Sequence, residues 1–305
     1  MDAPPPGSLA FRPSRHYSSG VDEVDTPLQV RTRRARQLLV RALEAEPPRL
    51  DAAALGIAAL ERPDLDFRRC ERALAVLSDR VRARRAGDGL LDGIQALRGV
   101  LADEEGFRGT VEADYQNPEN SFLDQVLERK VGIPITLSVL YLEVARRAKV
   151  PLFGVSFPGH FLVAGEMDGH RKLVLDPFHG GALLTETGCE DLLQRVAPQV
   201  KFSPAMLVAA SVRTISYRML NNLKRLYLDK GDGDRALGVV DLMLTLAPDH
   251  PGDLRTRAAI LSALGAYRAA LRDVERCLEL SPDAPDHDSL TMTAKALRHR
   301  VELLN

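Results

Sequence analysis

Tryptophan is absent from this 305-residue chain, and aromatic residues make up only 5% of it. Cysteine is almost as scarce. The three cysteines, an odd number without paired spacing, argue against a disulfide framework and are typical of a reducing compartment. No stretch approaches the ~20 apolar residues of a membrane span, and the N-terminus lacks the apolar region of a signal peptide. These absences predict a cytoplasmic protein.

An excess of charge of either sign is also missing. The 41 basic and 42 acidic residues leave a net charge of −1, so no global field favours nucleic acid or an anionic membrane. The locally basic run at 31–36 is soon followed by acidic residues, and we interpret it as a solvated helix face rather than a nucleic-acid patch. Neither nucleic acid nor membrane is expected as a partner.

The length suits two domains of ordinary size. Proline, serine and glycine over residues 1–27 predict a flexible tail. Apolar residues at helical intervals then predict helices over 50–62, 64–86 and 88–105, with breaks at Pro63 and at Gly87-Asp88-Gly89. These helices are expected to form a layer around the strands that follow.

Beyond residue 210 the sequence repeats with a period of 34, as in the pairs Gly231 and Gly265, and Ala236 and Ala270. This is the tetratricopeptide (TPR) spacing, in which each repeat is a helix pair that buries its apolar face against a neighbour. The repeats span 214–247 and 248–281, and the helix at 286–303 is expected to cap them. So short an array either binds an extended peptide or only braces the first domain. Polar candidates for a peptide-binding face are Asn221, Asn222, Lys224 and Arg225.

The segment between Tyr115 and Asp176 carries the most informative pattern. Pro134 suits the first turn of a helix, because its missing N–H has no intrahelical partner there. Two strands, Phe161 to Ala164 and Lys172 to Leu175, follow with a polar turn at 165–169 between them. The helix has one apolar face, formed by Leu137, Leu140, Tyr141, Val144 and Ala148.

His160 is predicted to begin one of these strands and Asp176 to end the next, which places the two side chains opposite each other in an antiparallel hairpin. A carboxylate that orients an imidazole is the supporting half of a nucleophilic triad. The third member would be a thiol at the helix start, where the helix dipole lowers its pKa. The helix begins Gly132-Ile133-Pro134 and offers no such thiol.

The segment resembles the transglutaminase-like superfamily, in which Gly-x-Cys opens a helix and His and Asp-Pro follow on successive strands. Within it, Asn117-Pro118-Glu119-Asn120-Ser121, Gly132-Ile133-Pro134-Ile135-Thr136 and Phe157-Pro158-Gly159-His160-Phe161 resemble the SirB-type bacterial branch, a transglutaminase-like domain followed by TPR repeats. The resemblance implies an α+β, papain-like fold. It also places the family's cysteine at Pro134, which has no nucleophilic atom.

Several residues near the pair are site candidates with competing interpretations. Thr136 and Ser138, close to the expected nucleophile position at the helix start, are predicted to be the hydroxyls nearest to His160 in the fold and are the alternative nucleophiles. His179 raises a metal hypothesis with His160 and Asp176, but the spacing matches no strong metal signature, so neither a metal nor another cofactor is expected. Asn117, Glu119, Asn120 and Asp124 either form a polar rim of the cleft or are turn and cap residues, and Asn120 or Ser121 is predicted to cap the next helix.

The sequence therefore predicts an α+β transglutaminase-like domain over residues 28–205, including the N-terminal helices, and an all-α TPR segment over 210–305. With Pro134 at the cysteine position, and with Cys70, Cys189 and Cys277 elsewhere, we expect a non-catalytic module that binds a protein or peptide partner. The alternative is an amide or ester hydrolase, or an acyltransferase, that uses His160 and Asp176 with another nucleophile or water.

Overall fold

A computed structural model describes residues 26–167 and 171–304. The described chain forms two compact units. The central unit comprises residues 37–219, and the repeat unit comprises residues 26–36 together with 220–304. The division falls within two long helices, so the start of the first helix belongs with the repeats. Apart from residues 26 and 27, the predicted tail over 1–27 lies outside the described residues, as do positions 168–170 of the predicted turn.

In the central unit, helices precede the strands along the chain. The helices are α1 (Pro27–Glu44, shared with the repeat unit), α2 (Leu50–Ala58), α3 (Phe67–Arg84), α4 (Leu90–Arg98), α5 (Leu123–Arg129), α6 (Pro134–Arg147), α7 (Glu186–Val196) and the start of α8 (Val212–Asp229). A π-helix, Gly99–Glu104, continues α4, and short 3-10 helices occur at Glu112–Asp114, Pro118–Ser121, Pro177–His179 and Pro204–Met206. The helices predicted over 50–105 and from Pro134 are confirmed.

Two small sheets complete the central unit. Strands β1 (Arg108–Gly109) and β2 (Val131–Gly132) pair in parallel. The larger sheet is an antiparallel meander of β3 (Phe153–Val155), β4 (Leu162–Glu166), β5 (Lys172–Asp176) and β6 (Ala182–Leu184), in that order. The register sets Val163 against Leu175 and Asp176 against Ala182.

The core lies between the meander and the helices on either side of it. Leu162, Ala164 and Val174 of the sheet form one cluster with Leu192 and Leu193 of α7. Helix α6 contacts β3 and β4 and also α2, α3 and α5, and its residues from 134 to 145 are buried. A helix surrounded in this way has no face in contact with solvent. Its apolar residues therefore occur all round the helix rather than along one stripe.

The repeat unit consists of helix pairs, as the period of 34 predicts. Its helices are the end of α8, α9 (Gly233–Leu246), α10 (Pro251–Ala263), α11 (Tyr267–Leu280) and α12 (His287–Glu302). Gly231 and Gly265, one period apart, both have positive φ in the turn between the helices of a pair, a conformation that glycine adopts without a Cβ clash. Ala236 and Ala270 are fully buried.

The predicted α+β class is confirmed. No helix among the described residues has both the length and the apolarity that a bilayer crossing requires.

Candidate functional site

His160 and Asp176 form a buried hydrogen-bonded pair, as predicted. The distance from His160 Nε2 to Asp176 Oδ1 is 3.0 Å, and both residues are less than a tenth exposed. Asp176 ends β5, but His160 lies in the bend before β4 rather than at its first residue. The pair therefore joins a strand end to a loop, and the contact is made through side chains only.

A second histidine contacts the same carboxylate. His179 Nδ1 lies 2.7 Å from Asp176 Oδ2, and the His179 side chain is 55% exposed. The two imidazole rings lie 6.1 Å apart between centroids and are inclined by 22°. Phe178 directly precedes His179 in the chain, and its ring makes edge-to-face contacts with both imidazole rings. The carboxylate of Asp176 therefore joins one buried and one exposed imidazole.

The charge state of Asp176 follows from these contacts. Burial alone would raise the pKa of this carboxyl group, but hydrogen bonds and attraction from His160 and His179 outweigh burial and lower it. The Phe178 N–H also donates to Asp176 Oδ1 at 3.0 Å. Because an ionised carboxylate only accepts hydrogen bonds, a neutral His160 carries its proton on Nε2 and leaves Nδ1 as the basic nitrogen. Among the described residues, Nδ1 has no hydrogen-bond partner.

The loop of His160 is held from two sides. Gly159 has φ +69°, and a Cβ there would approach the carbonyl oxygen of Val196 to 2.7 Å, so only glycine fits. Arg218 of α8 donates from Nη2 to the His160 carbonyl oxygen at 3.0 Å and from Nη1 to the Phe157 carbonyl oxygen at 2.8 Å. Nothing in the sequence pattern distinguishes Arg218 from a surface residue of a repeat helix, and its role was not predicted.

The start of α6 holds no available nucleophile. Pro134 is buried at the first helical position. The Thr136 hydroxyl donates to the Asn120 carbonyl oxygen at 2.6 Å and accepts from the Ile133 N–H at 3.2 Å. The Ser138 hydroxyl donates to the Phe161 carbonyl oxygen at 3.3 Å. Both hydroxyls are fully buried, and their hydrogen bonds satisfy the backbone rather than contact His160.

Asn117 and Asn120, two of the polar site candidates before α6, make hydrogen bonds that stabilise the local fold. Asn117 accepts from the Glu119 N–H and so caps a 3-10 helix. Asn120 is fully buried; its amide donates to Thr110 Oγ1 and the Asp114 carbonyl oxygen, and its oxygen accepts from Arg129. The prediction that Asn120 or Ser121 caps α5 is wrong, because Phe122 occupies the cap position without a side-chain hydrogen bond.

Asp124 lies in a different part of the central unit from the pair. Its Oδ2 is 2.6 Å from Arg62 Nε and 3.2 Å from Gln125 Nε2. Burial raises the pKa of this carboxyl group despite these partners. Asp124 lines a cavity of about 460 Å³ with Arg62 and Cys70, and neither His160 nor Asp176 borders it.

The three thiols are all free and buried. Burial raises the pKa of Cys70 and Cys189 to about 11 and also raises that of Cys277. Cys70 lies in α3, Cys189 in α7 and Cys277 in α11. None hydrogen-bonds to His160 or Asp176, although the charge of Asp176 contributes to the raised pKa of Cys189.

A buried hydroxyl lies beneath the loop that carries His179. Tyr141 of α6 is fully buried, and its hydroxyl has no hydrogen-bond partner among the described residues. A Cβ at Gly181 would meet this hydroxyl at 3.2 Å. Burial raises the pKa of Tyr141, so the phenol stays neutral. The sequence indicated Tyr141 only as part of an apolar stripe.

Two family models match the chain in succession. One, described as the transglutaminase-like superfamily, matches residues 68–221, and the other, described as a tetratricopeptide repeat, matches residues 223–295. The chain belongs to the transglutaminase-like superfamily. The domain order that the sequence resemblance implied is thereby confirmed.

Relatives of this transglutaminase-like protein occur in bacteria and animals. A UPF0162 protein of Xylella fastidiosa strain Temecula1 is 39% identical over 217 residues, which cover 69% of this chain and 73% of the relative. A UPF0162 protein of Pseudomonas aeruginosa is 34% identical over 256 residues, covering 81% and 90%. F-box only protein 21 of Homo sapiens is 33% identical over 186 residues, covering 57% of this chain and 28% of that protein. No solved structure matches the chain.

In this transglutaminase-like protein, the four polar residues predicted for a peptide-binding face all lie on α8. Asn221 and Asn222 are half-buried, and Arg225 is exposed. Lys224 is committed elsewhere, because its Nζ lies 2.7 Å from Oδ1 of the fully buried Asp253 of α10. Lys224 therefore links α8 to α10.

Proposed function

We propose that this protein is a non-catalytic interaction module, in which the central unit retains a transglutaminase-like fold without its nucleophile and the repeat unit binds an extended peptide. The observation that carries this proposal is the start of α6. Pro134 has no nucleophilic atom, and the hydroxyls of Thr136 and Ser138 are committed to backbone carbonyl oxygens.

The thiols give no substitute nucleophile. A thiolate is the reactive form of cysteine, and burial in apolar surroundings disfavours it. With pKa values raised to about 11, Cys70 and Cys189 are protonated at neutral pH. Three free cysteines support a reducing compartment, and our proposal therefore includes a cytoplasmic location.

The polar face of α8 suits a peptide backbone. An asparagine side chain offers both a donor and an acceptor, which is what an extended peptide needs from its receptor. Asn221 lies four positions and Asn222 three positions before Arg225, so each amide neighbours this positive charge on the helix surface. A peptide with an acidic group near its binding segment fits this surface.

A crosslinking experiment tests the interaction. The full-length protein carries a photo-crosslinking amino acid at Asn222, and a matched protein carries it at Arg276, which is exposed on α11. We expect discrete protein adducts from position 222 in cells, lost on Arg225→Glu, and none from position 276. Equal adduct patterns from the two positions would reject the α8 surface as the binding face.

One observation favours a second candidate function. His160 Nδ1 has no partner among the described residues, while Nε2 is held by Asp176, which is the arrangement of a general base that activates water. The hydrolase alternative predicts turnover of activated esters or amides that disappears in His160→Gln. If the His160–Asp176 pair only joins the loop to β5, the wild type should show no turnover, and His160→Gln should lower the stability of the protein.

A further inference from the structure

Three metal-ligating side chains converge at the end of β5. One ligand atom from each of His160, Asp176 and His179 lies within 4.8 Å of the other two. We propose that these three residues form a binding site for a divalent transition metal ion of the zinc class. The inference goes beyond the interaction role and does not depend on the repeats.

The spacing of the donor atoms suits one ion. Ligands on a tetrahedral zinc ion, with bonds of roughly 2.0–2.2 Å, lie about 3.3 Å from one another. The nitrogen of His160 lies 3.0 Å from one oxygen of Asp176, and the nitrogen of His179 lies 2.7 Å from the other. All three donor atoms already lie within 4.8 Å of one another, so small side-chain movements would bring them to the spacing of one coordination shell.

The chemistry of the donors selects the class of metal. Two imidazoles and one carboxylate suit zinc and its transition-metal neighbours, whereas Mg²⁺ and Ca²⁺ prefer oxygen ligands throughout. Three protein ligands leave the fourth position of a tetrahedral ion open to water or to an added ligand. The exposed side chain of His179 gives the ion a route in from solvent.

The protons balance without an additional reactant. In the hydrogen-bonded form each neutral ring carries its proton on the nitrogen that faces Asp176. When the metal binds, each ring transfers that proton to its other nitrogen by tautomerisation, and the vacated lone pair coordinates the ion. The carboxylate is already ionised and needs no proton change.

The ligands are held by a second layer of contacts, as metal ligands generally require. The Phe178 N–H donates to Asp176 Oδ1, and the Gly181 N–H donates to the Asp176 carbonyl oxygen at 2.8 Å. Gly180 and Gly181 both have positive φ, which closes the tight turn after His179. Arg218 fixes the His160 loop through its carbonyl oxygen. These contacts orient two buried ligands and one exposed ligand before any ion binds.

The chain contains a matched control for His179. His250 makes the same local contact, with Nδ1 3.1 Å from Oδ2 of Asp253 three positions later, and its side chain is 47% exposed. It occupies a helix cap in the repeat unit, and no second histidine joins that contact among the described residues. His250→Ala therefore removes an exposed histidine paired to a buried aspartate without touching the three-ligand cluster.

Isothermal titration of the full-length, chelator-treated protein with Zn²⁺ tests the proposal, with bound Co²⁺ absorption as a second readout. We expect one saturable site in the wild type and in His250→Ala. In His179→Ala the affinity should fall by at least ~100-fold, since even outer-shell partners of a ligand contribute 10–100-fold. His160→Gln should do the same, and circular dichroism shows whether that buried variant is folded.

Unchanged Zn²⁺ affinity in His179→Ala, or no saturable binding by the wild type, would overturn the metal site. Equal weakening by His250→Ala would also overturn it, because the effect would then belong to exposed histidines in general. The crosslinking result at Asn222 is independent of these outcomes, so the interaction role and the metal site can fail separately.

Discussion

Arg218 holds the carbonyl oxygen of His160 at 3.0 Å and thereby fixes the loop that carries the buried imidazole. The same guanidinium donates to the Phe157 carbonyl oxygen and to the Ser156 hydroxyl, and it lies over the ring of Phe161. Burial lowers the pKa of Arg218. These acceptors compensate the cost of desolvating the charge.

Arg218→Ala should destabilise the protein by about 2–4 kcal/mol, because it removes a charged donor from two backbone carbonyl oxygens of the loop. Arg218→Lys should recover only part of the loss, since an ammonium cannot reproduce the planar fork of a guanidinium. Urea unfolding measures both. Arg225→Ala, exposed on the same helix, is the control and should change stability by less than about 0.5 kcal/mol. Equal losses at 218 and 225 would contradict the role of Arg218.

The cysteines should react only when the protein opens. With the pKa of Cys70 and Cys189 raised to about 11, and all three thiols buried, alkylation at pH 7.5 should be at least ~100-fold slower in the folded protein than in denaturant. Val208→Cys introduces a thiol at a position that is 59% exposed and serves as the positive control. Rapid labelling of a native cysteine that disappears in His160→Gln would restore a thiol enzyme as the leading function.

Restoring the family's thiol should not restore chemistry. In Pro134→Cys, the helix dipole lowers the thiol pKa, but position 134 is buried and desolvation raises it. We expect slow alkylation and no turnover of a glutamine-containing peptide, because an oxyanion hole and access for the substrate are also needed. Pro134→Ala is the control, because it shows how far loss of the proline alone changes folding. Turnover by the single cysteine variant would show a cleft still organised for acyl transfer.

A buried aspartate at the start of α2 should give the stability a specific pH dependence. Burial would raise the pKa of Asp51, but hydrogen bonds from Arg49 and Arg147 outweigh burial and lower it to about 2. A depressed pKa stabilises the folded state above the unfolded pKa, and the contribution is lost as the pH falls toward 2. The stabilisation is about 2 kcal/mol at pH 7 and roughly half of that at pH 3.

The difference in unfolding free energy between wild type and Asp51→Asn should therefore shrink by about 1 kcal/mol from pH 7 to pH 3. Denaturant unfolding at both pH values provides the measurement. Asp79→Asn is the matched control, because Asp79 pairs with Arg82 on an exposed surface and such pairs contribute little. A pH-independent difference for Asp51→Asn would contradict the lowered pKa.

Much of the fold was predictable because its signals are local. The 34-residue period specified the helix pairs, and Gly231 and Gly265 fall in the turns where positive φ is needed. Pro134 marked the first turn of α6. The His160–Asp176 pair followed from a hairpin, in which residues close in sequence lie opposite each other.

What could not be predicted depends on distant partners. Asn120 resembles a helix cap by type and position, yet its amide is taken by Thr110 and the backbone at Asp114, and Phe122 takes the cap position. Thr136 resembled a spare hydroxyl, but it bonds the carbonyl oxygen of a residue 16 positions earlier. The hydrogen-bond partners of these side chains are set by tertiary contacts, which override local propensity.

The meander order of β3, β4, β5 and β6 has a consequence for how the protein is made. Each strand pairs with its neighbour along the chain, so little chain entropy is lost when the sheet closes. His160 and Asp176 are 16 positions apart. Both residues precede the repeats in the chain, and domains generally fold as units during synthesis, N-terminal first. The buried imidazole can therefore meet its carboxylate on the nascent chain before the repeat unit is complete.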